Sequence, residues 1–391
     1  MNSVRFGLGN RILRHLLLLS VVFLSLRSAD AADHKYIAYV GTYTREDSKG
    51  IYAYRFDADS GETTPIGLVA ETENPSFLTL DHDGHFLYAV NETEKYQGEA
   101  SGAVSAFSVD SASGKLHFLD QVSSRGANPA YITLDRKEHY ALVANYTGGS
   151  VATFPVKKDG SLGEAAGFVQ HQGKGFIPGR QETPHAHMIV PSPNNRFALV
   201  ADLALDKIIV YRFDAGKGAL KAIDSDSATV DSGAGPRHIA FGQDGKFVYL
   251  LNEMQGTVDA FAFDEHSGAL HPVQKISTLP NDFKGDDDSA ELVVHPSGNF
   301  LYASNRGDDS IAVYSIDRHN GTLKLLQIAK TQGEIPRSFA IDPTGKWLWA
   351  ANQKSNNIVL FQIDQAQGTI TPTDHVLKVP VPVCVQFVSV K

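Results

Sequence analysis

His187, Arg237, Glu253 and Arg306 are three chemical kinds of side chain that fall at matching places in successive segments of about 50 residues. Two guanidinium groups facing one cavity make a forked receptor for carboxylate or phosphate. A carboxylate and an imidazole beside them can take a proton from water or support a developing oxyanion. Such a set suits an anionic substrate with an electrophilic carbonyl. Arg337 and Glu92 occupy further equivalent places, and His185 and His238 lie beside the same strand starts; these four are expected among the substrate contacts. Taken singly, Glu92 and Arg337 read better as solvated loop residues or halves of ion pairs between segments. The set of His187, Arg237, Glu253 and Arg306 resists that reading, because three adjacent segments supply all of it.

Other chemistries have less behind them. His185-x-His187 has the alternation of a strand but no further clear ligand, so no metal is expected. Asp286-Asp287-Asp288 could take calcium and reads better as a solvated acidic loop. There is no Gly-rich phosphate loop between strand and helix and no Gly-x-Ser-x-Gly elbow. No cofactor is expected.

The elements that must position these residues are short strands. Each segment has a Pro, an apolar run ended by a turn that often carries Gly, a second apolar run ended by Asn, an alternating run, and a Gly-x-Leu hairpin. In one copy these are Pro236, Asp244-Gly245, Asn252, Thr257 to Phe263 and Gly268-Ala269-Leu270. Six complete copies follow a first one, from Tyr36, that lacks its leading strand. Pro382 to Val388 has the missing pattern, so it is expected to pair with Tyr36 to Tyr43 and close the first unit with the last strand of the chain. Four short strands cannot bury both faces of their sheet alone, and seven such units joined end to end make an all-β, seven-bladed β-propeller. There the start of each first strand and the end of each second strand open on one face. Counting back from the turns puts Ser76, Ala130, His187, Arg237, Ala290 and Arg337 in one set. Glu92, Tyr146, Leu203, Glu253, Arg306 and Gln353 form the other. The fourth unit has two extra residues between Pro184 and its turn, which brings His187 rather than His185 level with Arg237.

Residues 1–31 read differently: Arg5, Arg11 and Arg14, then the apolar run Leu16 to Leu24, then Ala29-Asp30-Ala31. That is the order of a secretory leader cleaved after Ala31, followed by one propeller domain over 32–391 and a periplasmic or extracellular location. The apolar run is short for a membrane span, and no later stretch matches it. Loss of the leader takes four Arg and one Asp from a chain of formal charge −9, leaving about −12. So acidic a protein is repelled by phosphate backbones, which argues against nucleic acid as a partner. Cys384 is the only cysteine and cannot form an internal disulfide.

Tyr39-Val40-Gly41-Thr42-Tyr43-Thr44, Pro184-His185-Ala186-His187, Gly235-Pro236-Arg237-His238, Asn252-Glu253, His295-Pro296-Ser297-Gly298, Ser304-Asn305-Arg306-Gly307 and Ala351-Asn352-Gln353 together resemble the seven-bladed propeller lactonases of the 6-phosphogluconolactonase type. The resemblance runs from about Tyr36 to the C-terminus. It implies hydrolysis of a sugar δ-lactone in the central channel without metal or organic cofactor; apart from the resemblance, a monomer is expected. It also takes in a carboxy-muconate cyclase, whose functional histidine, glutamate and two arginines would fall on His187, Glu253, Arg237 and Arg306. Either Glu253 or His187 would then be the base, with the arginines on the anionic part of the substrate. Export would part the chain from cytosolic sugar phosphates, so phosphorylated and plain lactones both stay open. A cyclase that forms lactones and a non-catalytic binding propeller are the competing expectations.

Overall fold

Seven antiparallel sheets form the blades of a propeller in the computed structural model, which describes residues 34–390 apart from 224–226. The leader expected over 1–31 lies outside these residues. From the channel outward, blade 5 runs Pro236–Phe241, Phe247–Asn252, Thr257–Phe263 and Leu270–Ser277. The other blades repeat this order, and blade 4 adds the short strand Ala228–Thr229. Among the described residues no helix is formed. Blade 1 is closed from the far end of the chain. Pro382–Ser389 pairs with Lys35–Thr42, in register from Tyr36 opposite Ser389 to Gly41 opposite Cys384. The same strand packs against Phe77–Leu80 of blade 2 and Pro336–Ile341 of blade 7, so the ring of inner strands is continuous.

Second strands such as Phe197–Asp202 and Trp347–Asn352 are buried along their whole length, because neighbouring blades cover both faces of each sheet. One apolar cluster fills each of the seven blade interfaces. Between blades 7 and 1 the filler is Trp349, with Phe56 and Phe387 edge-on at 5.1 and 5.2 Å between ring centroids. The Gly-x-Leu hairpins have a packing reason. Gly368 (φ 76) turns the chain left-handed where a Cβ would overlap the Phe300 ring of the preceding blade. Gly368→Ala is therefore expected to cost about 2–4 kcal/mol, combining backbone strain with overpacking. At Gly179 (φ 74) nothing stands within 4 Å, and the same change should cost only about 1 kcal/mol. Chemical denaturation of both variants checks this; equal losses would remove the packing argument.

Candidate active site

A β-bulge at the start of the inner strands aims the site residues. Pairing with the second strand skips one residue between Pro129 and Tyr131, Ala186 and Met188, Pro236 and His238, and Pro336 and Ser338. The extra residues are Ala130, His187, Arg237 and Arg337. A bulge bends its strand and turns a side chain out of the ladder, here toward the channel mouth. The residue two before each of these places, or before its equivalent Ser76, Ala290 or Val383, is left-handed in most blades: Asn74, Asn128, Gly235, Asp288, Ile335 and Val381. For β-branched Ile335 (φ 58) and Val381 (φ 45) this is strain of order 1–3 kcal/mol. The carbonyl of that position accepts the N–H of the residue that follows the second strand: Glu253 N to Gly235 O is 2.7 Å, Arg306 N to Asp288 O 3.1 Å, and Leu203 N to His185 O 2.9 Å. The last bond puts His187 level with Arg237, as the turn-based register has it. The repeated Asn brackets this corner, the amides of Asn145 and Asn305 donating to Ser124 O and Thr278 O.

Glu253 is the centre of the mouth. Its Oε2 meets Arg237 Nε at 2.8 Å and Arg306 Nη2 at 3.0 Å, and its Oε1 meets Arg180 Nη2 at 2.6 Å. Burial alone would push the carboxyl up, but Arg306, Arg237, Arg180 and Arg337 hold it down to about 2. Burial, with Arg306 and Arg337 nearby, lowers Arg237 to about 10, still charged at neutral pH. Arg306 is braced from behind by Asp288 Oδ1 at 2.6 Å. Burial first, then Arg237 and its neighbours, put His187 well below the usual histidine range, so it is neutral, and its Nδ1 has no protein partner. Tyr146 meets the His187 ring edge-on and stacks on His185, whose Nδ1 donates to Tyr146 O at 3.0 Å. On the far side Tyr43 donates to Glu92 at 2.9 Å, while Arg337 lies over the Tyr43 ring at 5.3 Å and 4.0 Å from Glu92.

His187, Arg237, Glu253 and Arg306 thus gather as the repeats imply, with Arg337 and Glu92 across the mouth and His185 at its edge. His238 is a layer deeper. Its Nε2 accepts from Arg237 Nη1 at 3.2 Å, so Nδ1 carries the proton and donates to Glu291 at 2.7 Å. Both nitrogens are engaged within the protein. The acidic loop is not wholly given to solvent, since Asp288 is the partner of Arg306. Sequence reasoning passed over Arg180, Tyr43 and Glu291. Tyr43 follows the second strand of blade 1, its N–H on Val381 O at 3.2 Å, and extending the repeat offset to the split blade finds it. Arg180 has no counterpart in other blades; its signal is the long connection between Gln170 and Ala186.

Residues 37–387 match the family model described as a seven-bladed β-propeller lactonase. The chain is 36% identical over 353 residues to the 6-phosphogluconolactonase of Bacillus subtilis, covering 90% of this chain and 98% of that one. A 6-phosphogluconolactonase of Formosa agariphila is also 36% identical, over 78% of this chain and 86% of its own. The structure of a Pseudomonas aeruginosa periplasmic gluconolactonase superposes with a TM-score of 0.86 at 35% identity, covering 91% of this chain and all of that one. With the bulge-aimed charges at one mouth of a closed ring, these matches make the chain a member of the seven-bladed β-propeller lactonase family.

Proposed function

We propose that this lactonase opens a sugar δ-lactone bearing an anionic substituent, 6-phosphogluconolactone being the reference compound. The observation that carries the reading is one buried carboxylate, Glu253, ringed by arginines at the channel mouth. Arg237 and Arg306 hold the anionic part of the substrate as well as the carbonyl oxygen as it becomes an oxyanion. Glu253 takes a proton from the attacking water as the C–O bond forms, then gives it to the ring oxygen as the lactone bond breaks, which leaves the free acid. Neutral His187 orients the water. With three ion pairs the resting carboxylate is a weak base, so the substrate must draw off part of that shell before the proton moves. Arg337, Tyr43 and Glu92 line the opposite side for sugar hydroxyls. The leader-like residues 1–31 and the periplasmic relative support export as part of the same proposal.

Purified protein lacking 1–31 should speed loss of glucono-δ-lactone and its 6-phosphate at a mildly acid pH, where spontaneous opening is slow. No gain over buffer for either would favour a binding propeller. Cyclisation of a muconate with both lactones untouched would favour the cyclase. Arg306→Ala should raise KM about 10–100-fold for the phosphorylated lactone and far less for the plain one, the loss of one charge-assisted hydrogen bond. Equal losses for both would take Arg306 off the anionic group.

A further inference from the structure

Glu253 is not held equally by its three ion-pair partners. Arg237 and Arg306 share Oε2, and both stand at strand ends of the ring. Among the described residues Oε1 has Arg180 alone. Arg180 belongs to the connection between Gly167–Gln170 and Ala186–Pro191, outside the repeat. Its side chain is 45% exposed, against 2% for Arg237, so an incoming ligand meets it first.

The connection is built to hold that position. Gln181, fully buried, accepts the N–H groups of Phe176 and Ile177 on Oε1, and its Nε2 donates to Leu203 O and Asp206 Oδ1 at 2.8 Å each. At the base, Asp202 takes His171 Nδ1 at 2.6 Å and His185 N at 3.0 Å. The backbone beside Arg180 is therefore anchored, while its half-exposed side chain is held at the mouth through Glu253 and Tyr146. A long, flexible side chain on a fixed stem can exchange one anion for another without moving the loop.

We propose that Arg180 is a specificity residue that ties up Glu253 Oε1 in the free protein and passes to the phosphate or carboxylate of an arriving sugar lactone, releasing Oε1 to act on water. This rests on the lactonase reading above. Phosphate and carboxylate both match the guanidinium fork and compete with Glu253 for it. After the exchange the carboxylate faces Arg237, Arg306 and Arg337 but one cation fewer, so its proton affinity rises only in the complex with an anionic substrate. A neutral lactone cannot drive the exchange, because a ligand shifts an equilibrium only by its differential interaction with the two states. Discrimination then appears in kcat as well as in KM.

Arg180→Gln tests this. KM for 6-phosphogluconolactone should rise about 10–100-fold, and 6-phosphogluconate, followed by calorimetry, should bind more weakly by a similar factor. For plain glucono-δ-lactone kcat should instead rise by up to about tenfold, one pKa unit on the base. The acid limb of that reaction should move to higher pH, with Tyr146, His187 and Asp288 left in place around the carboxyl. Arg180→Lys, which keeps the charge without the fork, should fall between. If the wild type opens both lactones and Arg180→Gln alters them equally, the Arg180 assignment fails and the lactonase reading stands. If the wild type binds 6-phosphogluconate through Arg180 but opens no lactone, the lactonase reading fails, and the release of Oε1 with it.

Discussion

Deletion of residues 382–391 is expected to abolish the folded ring, giving aggregated protein with no cooperative melt and no activity. Pro382–Ser389 supplies the inner strand of blade 1 and carries Val383, Cys384 and Val385, all buried, with Phe387 against Trp349 and Phe56. Burying such side chains stabilises by about 1.5–3 kcal/mol each. Four of them approach the whole of a typical stability of about 5–15 kcal/mol. Their loss would also bare the edge of Lys35–Thr42 and the facing sides of blades 2 and 7, and an open strand edge is a template for aggregation. Two site residues depend on the same closure: Tyr43 is fixed by the Val381 carbonyl, and Arg337 stacks on Tyr43. Size-exclusion chromatography, a circular-dichroism melt and a lactone assay read the outcome. A truncated chain that stays monodisperse, melts as the intact one does and still turns over would show that other contacts close the ring.

The blades are legible in the sequence because the packing that requires them is repeated. Gly368 beside Phe300 and Asn305 bracketing Thr278 do the same job in blade after blade, and the chemistry of each job leaves few residue choices. His187, Arg237, Glu253 and Arg306 are legible for a related reason: a bulge at a constant offset turns His187 and Arg237 to the mouth that Glu253 and Arg306 reach just past the second strands, so charged residues stand out against Ala130 and Leu203 at matching places. What escapes is whatever breaks the repeat. Tyr43 belongs to a blade split between the chain ends, and it is found only when the repeat offset is extended across that split. Arg180 sits on a connection with no counterpart, and its ion pair with Glu253 spans 73 residues. Asp288 reads as one of three solvated acids until its geometry shows one carboxylate turned inward onto Arg306. Glu291 hides for another reason: nothing in its strand tells that the neighbouring blade holds a histidine to receive it.

Glu253→Gln separates the two things this carboxylate does. As a counter-ion it offsets a crowded set of arginines; as a base it accepts the proton of water. Gln keeps the shape and an acceptor oxygen for Arg237 and Arg306 but loses the charge and the proton site. If Glu253 is the base, kcat should fall about 10²–10⁴-fold for plain and phosphorylated lactones alike. KM for the phosphorylated lactone should hold or fall, because the arginines are then free for the substrate. If Glu253 were a counter-ion only, binding would change and the chemical step would not. The pH dependence adds a second reading. A base works only when deprotonated, and with the free carboxyl held at about 2 the group is ionised throughout the range above mildly acid pH, so wild-type kcat/KM should be flat there. Any acid limb in kcat should lie higher for the phosphorylated lactone than in kcat/KM, because the bound substrate has drawn a cation away. Removing one partner from a buried charge cluster can cost about 3–5 kcal/mol, so a thermal melt must show the variant folded before its rate is read. A folded Gln variant with undiminished kcat would take Glu253 out of the proton transfer and leave neutral His187, with its free Nδ1, as the group to examine.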